Sequence, residues 1–169
     1  MGTEGRINVN AGPGEGPAVR MPGLQLYTRK VGSEQTGGAF SLFEVEVGPG
    51  GGDGPHVQHR EDECFYVIEG RFEFVIEGAG IEAGTGSLVY ATRGELHAFE
   101  NVGGAVGRLL VLHTPGGSHE RFVQEVGEPV AFGVGFANEG SASPAEGAPE
   151  AGRLARSAAE YGIELVPPP

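Results

Sequence analysis

The chain of 169 residues is long enough for one domain with a hydrophobic core and too short for two. Its formal net charge of −12 disfavours nucleic acids and anionic membrane surfaces as partners, because both require a cationic face. A single cysteine, Cys64, excludes an intramolecular disulfide framework, and no apolar run approaches the roughly 20 residues of a membrane span. We therefore expect a cytoplasmic protein with neither nucleic-acid nor membrane partners.

Short β-rich segments recur along most of the chain. Residues 1–20 are rich in glycine and poor in apolar side chains, which predicts a flexible arm. Between residues 21 and 137, strands are predicted at 24–27, 39–47, 64–68, 71–76, 87–91, 97–101 and 108–113. Glu69 and Gly70 join two of these runs, which predicts a hairpin at this point. Many short strands with turn signals between them indicate an all-β sandwich or barrel.

The last third of the chain has a different character. Within residues 114–132, Phe122, Val123 and Val126 share one apolar stripe, which predicts a short helix. Residues 138–148 are rich in Gly, Ala, Ser and Pro and are interpreted as a linker. Residues 149–169 are predicted to form a C-terminal helix, ending at Gly162, and the end of the chain.

A set of metal-ligating side chain types stands out in the middle of the chain. His56 and Gln58 lie two positions apart on an extended segment, so their side chains share a face. Glu63 stands at the head of a predicted strand, and His97 opens another. Imidazole nitrogens with one carboxylate form a mixed donor set that suits a divalent metal ion.

These positions resemble the two motifs of the cupins, G(X)5HXH(X)3-4E(X)6G and G(X)5PXG(X)2H(X)3N. The matching residues are Gly50, His56, Gln58, Glu63 and Gly70 for the first motif, and Gly86, Thr92, Gly94, His97 and Asn101 for the second. The resemblance implies a jelly-roll β-barrel with short C-terminal helices. It also implies one divalent ion (Fe, Mn, Ni, Co or Zn) held by His56, Gln58, Glu63 and His97.

Gln58 departs from the cupin pattern, which has a second histidine at this position. Three interpretations remain open. Gln58 ligates through its amide oxygen; the neighbouring His59 replaces it, turned inward by a bulge; or no metal binds. His113 is in phase with Leu109 and Val111, so it either ends a core-facing row or points into the barrel above the metal. The remaining polar residues nearby are predicted to be solvated: His59, Arg60, Glu61, Asp62, His119 and Arg121.

The tail PGGSHERFVQEVGEPV resembles that of bacterial quercetinase-like cupins. This resemblance implies a metal-dependent dioxygenase for an enolic or phenolic aromatic substrate, in which Glu63 accepts the substrate's proton. A first alternative is a non-oxidative polyketide cyclase or isomerase that uses the ion as a Lewis acid. A second alternative is a non-catalytic module that binds a small molecule. The resemblance also implies a homodimer, which would cover exposed strand edges.

Overall fold

The computed structural model describes residues 9–131, 135 and 148–167. Twelve strands and two helices lie in these residues: β1 (Ala18–Met21), β2 (Gln25–Val31), β3 (Ser41–Val47), β4 (Gly52–Gln58), β5 (Asp62–Glu69), β6 (Arg71–Ile76), β7 (Ala79–Gly84), β8 (Leu88–Ala91), β9 (Leu96–Asn101), β10 (Gly107–Thr114), α1 (Ser118–Val126), β11 (Glu128–Val130), α2 (Ala148–Glu160) and β12 (Ile163–Leu165). The all-β jelly-roll prediction is confirmed.

The strands form two antiparallel sheets around one core. The larger sheet has the order β11-β1-β2-β3-β10-β5-β8, and the smaller has the order β12-β4-β9-β6-β7. Along β3 and β10, fully buried residues alternate with half-buried ones, as expected where one face of a sheet covers a core. Phe65 of the larger sheet packs against Phe74 and Phe99 of the smaller sheet, with ring centroids 5.0 and 5.4 Å apart. Each buried phenylalanine contributes about 1.5–3 kcal/mol to stability.

The hairpin predicted at Glu69 and Gly70 is wrong. β5 belongs to the larger sheet and β6 to the smaller, so the chain crosses between the sheets at this point. Gly70 has a φ of 104°, which only glycine adopts easily, and this allows the abrupt change of direction. The hairpin nearby joins β6 and β7 instead, and its turn residues Glu77 and Gly78 have φ of 49° and 79°. Two positive φ angles are typical of a tight hairpin turn.

The chain ends add strands to both sheets. β1 begins inside the segment predicted as a flexible arm and pairs with β2 and β11, while residues 1–8 lie outside the described residues. Both predicted helices are present as α1 and α2. The predicted linker at 138–148 lies outside the described residues apart from its last residue, which begins α2. β12 then pairs with β4.

The outer surface has two features that bear on partners. No helix in the described part of the chain is both long and apolar enough to cross a bilayer. Tyr66, Leu88 and Tyr90 are 42, 61 and 48% exposed and lie on β5 and β8, at one edge of the larger sheet. The homodimer remains a prediction, and this edge offers apolar surface for it.

Candidate metal centre

Cross-strand pairing brings four of the polar side chains together inside the barrel. His56 on β4 lies opposite His97 on β9, and Glu63 on β5 lies opposite His113 on β10. Side chains that are directly opposite in an antiparallel pair lie on the same face and within contact distance. All four are at most 5% exposed. Each sheet thus contributes one pair to a common buried cluster.

Glu63 is the centre of this cluster. Its Oε2 atom lies 2.8 Å from His97 Nε2 and 3.7 Å from His56 Nε2. Its Oε1 atom lies 2.9 Å from His113 Nε2. One carboxylate is therefore shared by three imidazoles from both sheets. Of the two positions left open for His113, the structure shows the one inside the barrel.

The prediction that His119 lies on the surface is wrong. This side chain is 5% exposed, and its ring stacks on that of His113 with centroids 3.9 Å apart. It comes from the first turn of α1, which places it beside the cluster. Nothing in the spacing of the barrel strands indicates this contact, because α1 follows the last motif and its orientation depends on packing.

Glu61 is also buried rather than solvated, being 1% exposed. Its Oε1 accepts a hydrogen bond from the backbone N–H of Ser118 at 2.6 Å, and its Oε2 accepts one from that of His119 at 3.0 Å. The first N–H groups of a helix have no partners within the helix, so a carboxylate there satisfies them. Glu61 thereby fixes the end of α1 that carries His119.

Gln58 and His59 occupy different environments. Gln58 is 2% exposed, and its Nε2 lies 3.5 Å from Glu63 Oε2, so its amide borders the cluster. His59 is on the outer side, where its Nε2 lies 2.9 Å from Glu164 Oε2. The structure does not bring His59 to the cluster, and the inward bulge considered from the sequence is not present at this residue.

Replacing Gln58 with His is expected to tighten metal binding about tenfold or more, because imidazole is a stronger donor than an amide for first-row divalent ions. Chelator competition with zinc would measure the change in affinity. His59→Gln is the matched control and should leave affinity unchanged. Equal affinity in Gln58→His and the unmodified protein would show that this position does not face the ion.

The donor set fits a divalent metal ion. Two triads, His56–Glu63–His97 and Glu63–His113–His119, each have ligand atoms within 4.8 Å of one another among the described residues. Nδ1 of His113 and Nδ1 of His119 are buried without hydrogen-bond partners. Burying so many imidazoles around one carboxylate is costly unless they serve a common ligand. First-row divalent ions such as Fe, Mn, Ni, Co or Zn accept this mixture of nitrogen and oxygen donors.

The metal-free cluster is strongly polarised. Burial alone would lower the pKa of His56, but its hydrogen bond to Glu63 and the charge of Glu63 outweigh this and raise the pKa to about 9. Burial would raise the pKa of Glu63, but the charge and hydrogen bond of His113 hold it well below its usual range. Burial, followed by the charge of His113, lowers the pKa of His119 well below its usual value.

Metal affinity is expected to rise about tenfold per pH unit from neutral pH up to about pH 9 and then to level off. Below its pKa of about 9, His56 carries a proton in the metal-free protein, and that proton must leave before the nitrogen can ligate. Chelator competition at a series of pH values would measure this slope, with the chelator's own protonation subtracted. A flat profile between pH 7 and pH 9 would contradict ligation by His56.

Comparison with known protein families gives one domain match. The cupin domain family matches residues 43–113, which include β4, β5, β9 and most of β10. These elements carry His56, Glu63, His97 and His113. No curated protein sequence matches the chain.

Comparison with solved structures finds many proteins of similar fold. The polyketide cyclase RemF from Streptomyces resistomycificus has 30% sequence identity and a TM-score of 0.50, with coverage of 68% of this chain and 80% of that protein. A predicted oxalate decarboxylase from Thermotoga maritima has 19% identity and a TM-score of 0.57, covering 64% and 98%. KdgF from Halomonas sp. has 19% identity and a TM-score of 0.55, covering 63% and 91%. The last two likenesses concern the fold alone.

Proposed function

Because this chain belongs to the cupin superfamily, we propose that it is a metal-dependent enzyme that closes a ring in an enolisable, polyketide-like aromatic precursor without consuming dioxygen. The observation that carries this proposal is the 30% identity to a polyketide cyclase. The buried cluster around Glu63 supports it, because ring closure at an enolisable carbon needs a base and a centre of positive charge close together.

The side chains of the cluster have distinct tasks in this proposal. His56, Glu63 and His97 would hold the ion, His113 and His119 would offer further nitrogen donors on the other side of Glu63, and Gln58 borders the site. A bound divalent ion supplies Lewis acidity, which favours the enolate form of a substrate that binds through oxygen. Glu63, with an oxygen facing each sheet, accepts the proton lost from the substrate carbon. When that carbon bonds to a carbonyl carbon of the same substrate molecule, the carbonyl oxygen takes the proton back from Glu63 and becomes a hydroxyl. The buried rings of Phe65 and Phe43, with centroids 6.2 Å from that of His97 and 6.3 Å from that of His113, help to keep water from the reacting atoms.

A second candidate is the quercetinase-like dioxygenase predicted from the sequence. One observation supports a redox-active ion at this site: His113 supplies a buried nitrogen donor in a cluster where Gln58 replaces the usual histidine. A firm nitrogen set suits a redox-active ion as well as a Lewis-acidic one. Metal binding is therefore common to both candidates, and the consumption of dioxygen separates them.

The test begins with elemental analysis of protein purified without a histidine tag. The metal-loaded protein is then mixed with a flavonol in an oxygen electrode, and in parallel with a synthetic aromatic β-polyketone whose ring closure is followed by chromatography. Ring closure without oxygen uptake would support the cyclase. Oxygen uptake with flavonol would replace it by the dioxygenase. If the protein holds no metal and catalyses neither reaction, the remaining interpretation is a non-catalytic module that binds a small molecule.

A further inference from the structure

A second group of polar side chains, two of them buried and one half-buried, lies in the barrel apart from the cluster around Glu63. Gln25 and Tyr27 are 1 and 2% exposed and lie two positions apart on β2, so they face the same side. Asp53, on β4 in the other sheet, accepts a 2.6 Å hydrogen bond from Gln25 Nε2. Burial raises the pKa of the Tyr27 hydroxyl, which lies close enough to Asp53 for the charge of that carboxylate to raise the pKa further. Neither cupin motif includes these three residues.

Asp53 reaches the interior because β4 carries one extra residue. Between Asp53 and His56, β4 advances three positions, whereas the opposite strand β9 advances two, from Phe99 to His97. In a regular strand, residues three apart point to opposite faces, so Asp53 would point outward when His56 points inward. The bulge turns both side chains inward. Bulges are enriched next to active sites, where they redirect a side chain in this way.

Gln25 keeps one hydrogen-bond acceptor free. Its Nε2 donates to Asp53 and, at 3.1 Å, to the backbone carbonyl of Pro22. Its Oε1 is buried and has no hydrogen-bond partner. Buried polar atoms in folded proteins are nearly always paired, and an exception calls for an explanation. A ligand hydroxyl would supply the donor that this oxygen lacks.

Tyr27 joins the two polar groups. Its ring centroid lies 6.0 Å from that of His119, beside the cluster around Glu63, and the charge of Asp53 acts on its hydroxyl. Burial, and then the charges of Asp53 and Glu63, raise the pKa of Tyr27 well above its usual value, so the hydroxyl stays protonated. Tyr27 therefore adjoins both the cluster around Glu63 and Asp53.

We propose that Gln25, Tyr27 and Asp53 form a second hydrogen-bonding subsite, which holds a hydroxyl group of a polyphenolic substrate while another oxygen of that substrate lies at the metal centre. The substrate class in this inference rests on the proposed function. Gln25 Oε1 accepts the hydrogen bond from the substrate. Asp53 is a positioning residue that accepts a hydrogen bond from the glutamine amide, and Tyr27 lies beside Asp53. The subsite would select substrates that carry a second, remote hydroxyl.

The test compares two probes that differ by one hydroxyl. Zinc-loaded protein is titrated with 1,6-dihydroxyanthraquinone, whose second hydroxyl lies on the far ring and forms no internal hydrogen bond, and with 1-hydroxyanthraquinone. Binding is followed by the absorbance of the probes. The unmodified protein should prefer the dihydroxy probe about tenfold, the contribution of one well-placed hydrogen bond. Gln25→Met, which keeps length but removes the acceptor, should abolish this preference and leave zinc content and affinity for the monohydroxy probe unchanged.

Tyr27→Phe provides a second variant that removes one hydroxyl and keeps the ring, and it should reduce the preference even if Gln25→Met does not fold. Tyr90→Phe is the matched control, since its hydroxyl donates to Asp62 on the outer surface. Equal affinity of the unmodified protein for both probes, no binding of either, or a preference that survives in the folded, zinc-loaded variants would overturn the subsite. Failure of the proposed cyclase would appear separately, as a probe preference without ring closure.

Discussion

Replacing Glu63 with Gln is expected to lower turnover about 10²–10⁴-fold and metal affinity at least about 100-fold, while the fold is retained. Glu63 is the one carboxylate shared by His56, His97 and His113, so the amide removes both the charge that holds the ion and the base that accepts the proton. The amide matches the carboxylate in size, which preserves packing. Elemental analysis, activity and circular dichroism measure the three quantities.

Glu69→Gln is the control for this change. Glu69 ends the same strand but is exposed, so its replacement removes the same charge from the protein without touching the cluster. Metal content and activity should then equal those of the unmodified protein. If Glu63→Gln kept full metal content and full turnover, Glu63 would be neither a metal ligand nor the base.

Replacing Glu61 with Gln is expected to destabilise the protein by about 2 kcal/mol. The change removes a buried charge that accepts hydrogen bonds from two backbone N–H groups at the start of α1. A hydrogen bond to a charged group contributes about 1.5–3 kcal/mol, and the neutral amide replaces only part of this contribution. Denaturant unfolding of the metal-free protein measures the loss. The expected fall in melting temperature is about 4–8 °C for a chain of this size.

The same variant also tests whether α1 holds His119 in place for metal binding. In Glu61→Gln, metal affinity should fall because His119 is less firmly held, and a saturating metal concentration should recover part of the stability. Glu69→Gln again serves as the control. Unchanged unfolding in Glu61→Gln would contradict the role of Glu61 as the anchor of α1.

The barrel and the first members of the site were predictable from local pattern. His56, Glu63 and His97 fall at motif spacings, and alternation along a strand determines which side chains share a face. Phase alone does not separate a core residue from a ligand, so the sequence does not decide the position of His113. The structure resolves it through the pairing of β10 with β5, which sets His113 opposite Glu63.

Three other features depended on packing that no local pattern contains. Glu61 follows two charged or polar residues in a turn, and nothing in this local sequence indicates that it is buried. Its carboxylate nevertheless accepts a hydrogen bond from α1, whose first residue lies 57 positions later in the chain. His119 becomes part of the site only through the orientation of that helix. Asp53 faces inward because of one extra residue in β4, and the register of a strand is set by its partner rather than by its own sequence.

The pairing of β12 with β4 has a consequence for folding. β4 carries His56 and Gln58, and its outer neighbour comes from so late in the chain that the contact between His59 and Glu164 spans 105 positions. Closing so long a loop is entropically slow, so β12 is expected to dock late. Until β12 docks, β4 has an unpaired edge, and unpaired strand edges promote aggregation. Efficient recovery of native protein should therefore depend on dilute refolding conditions more than on the metal.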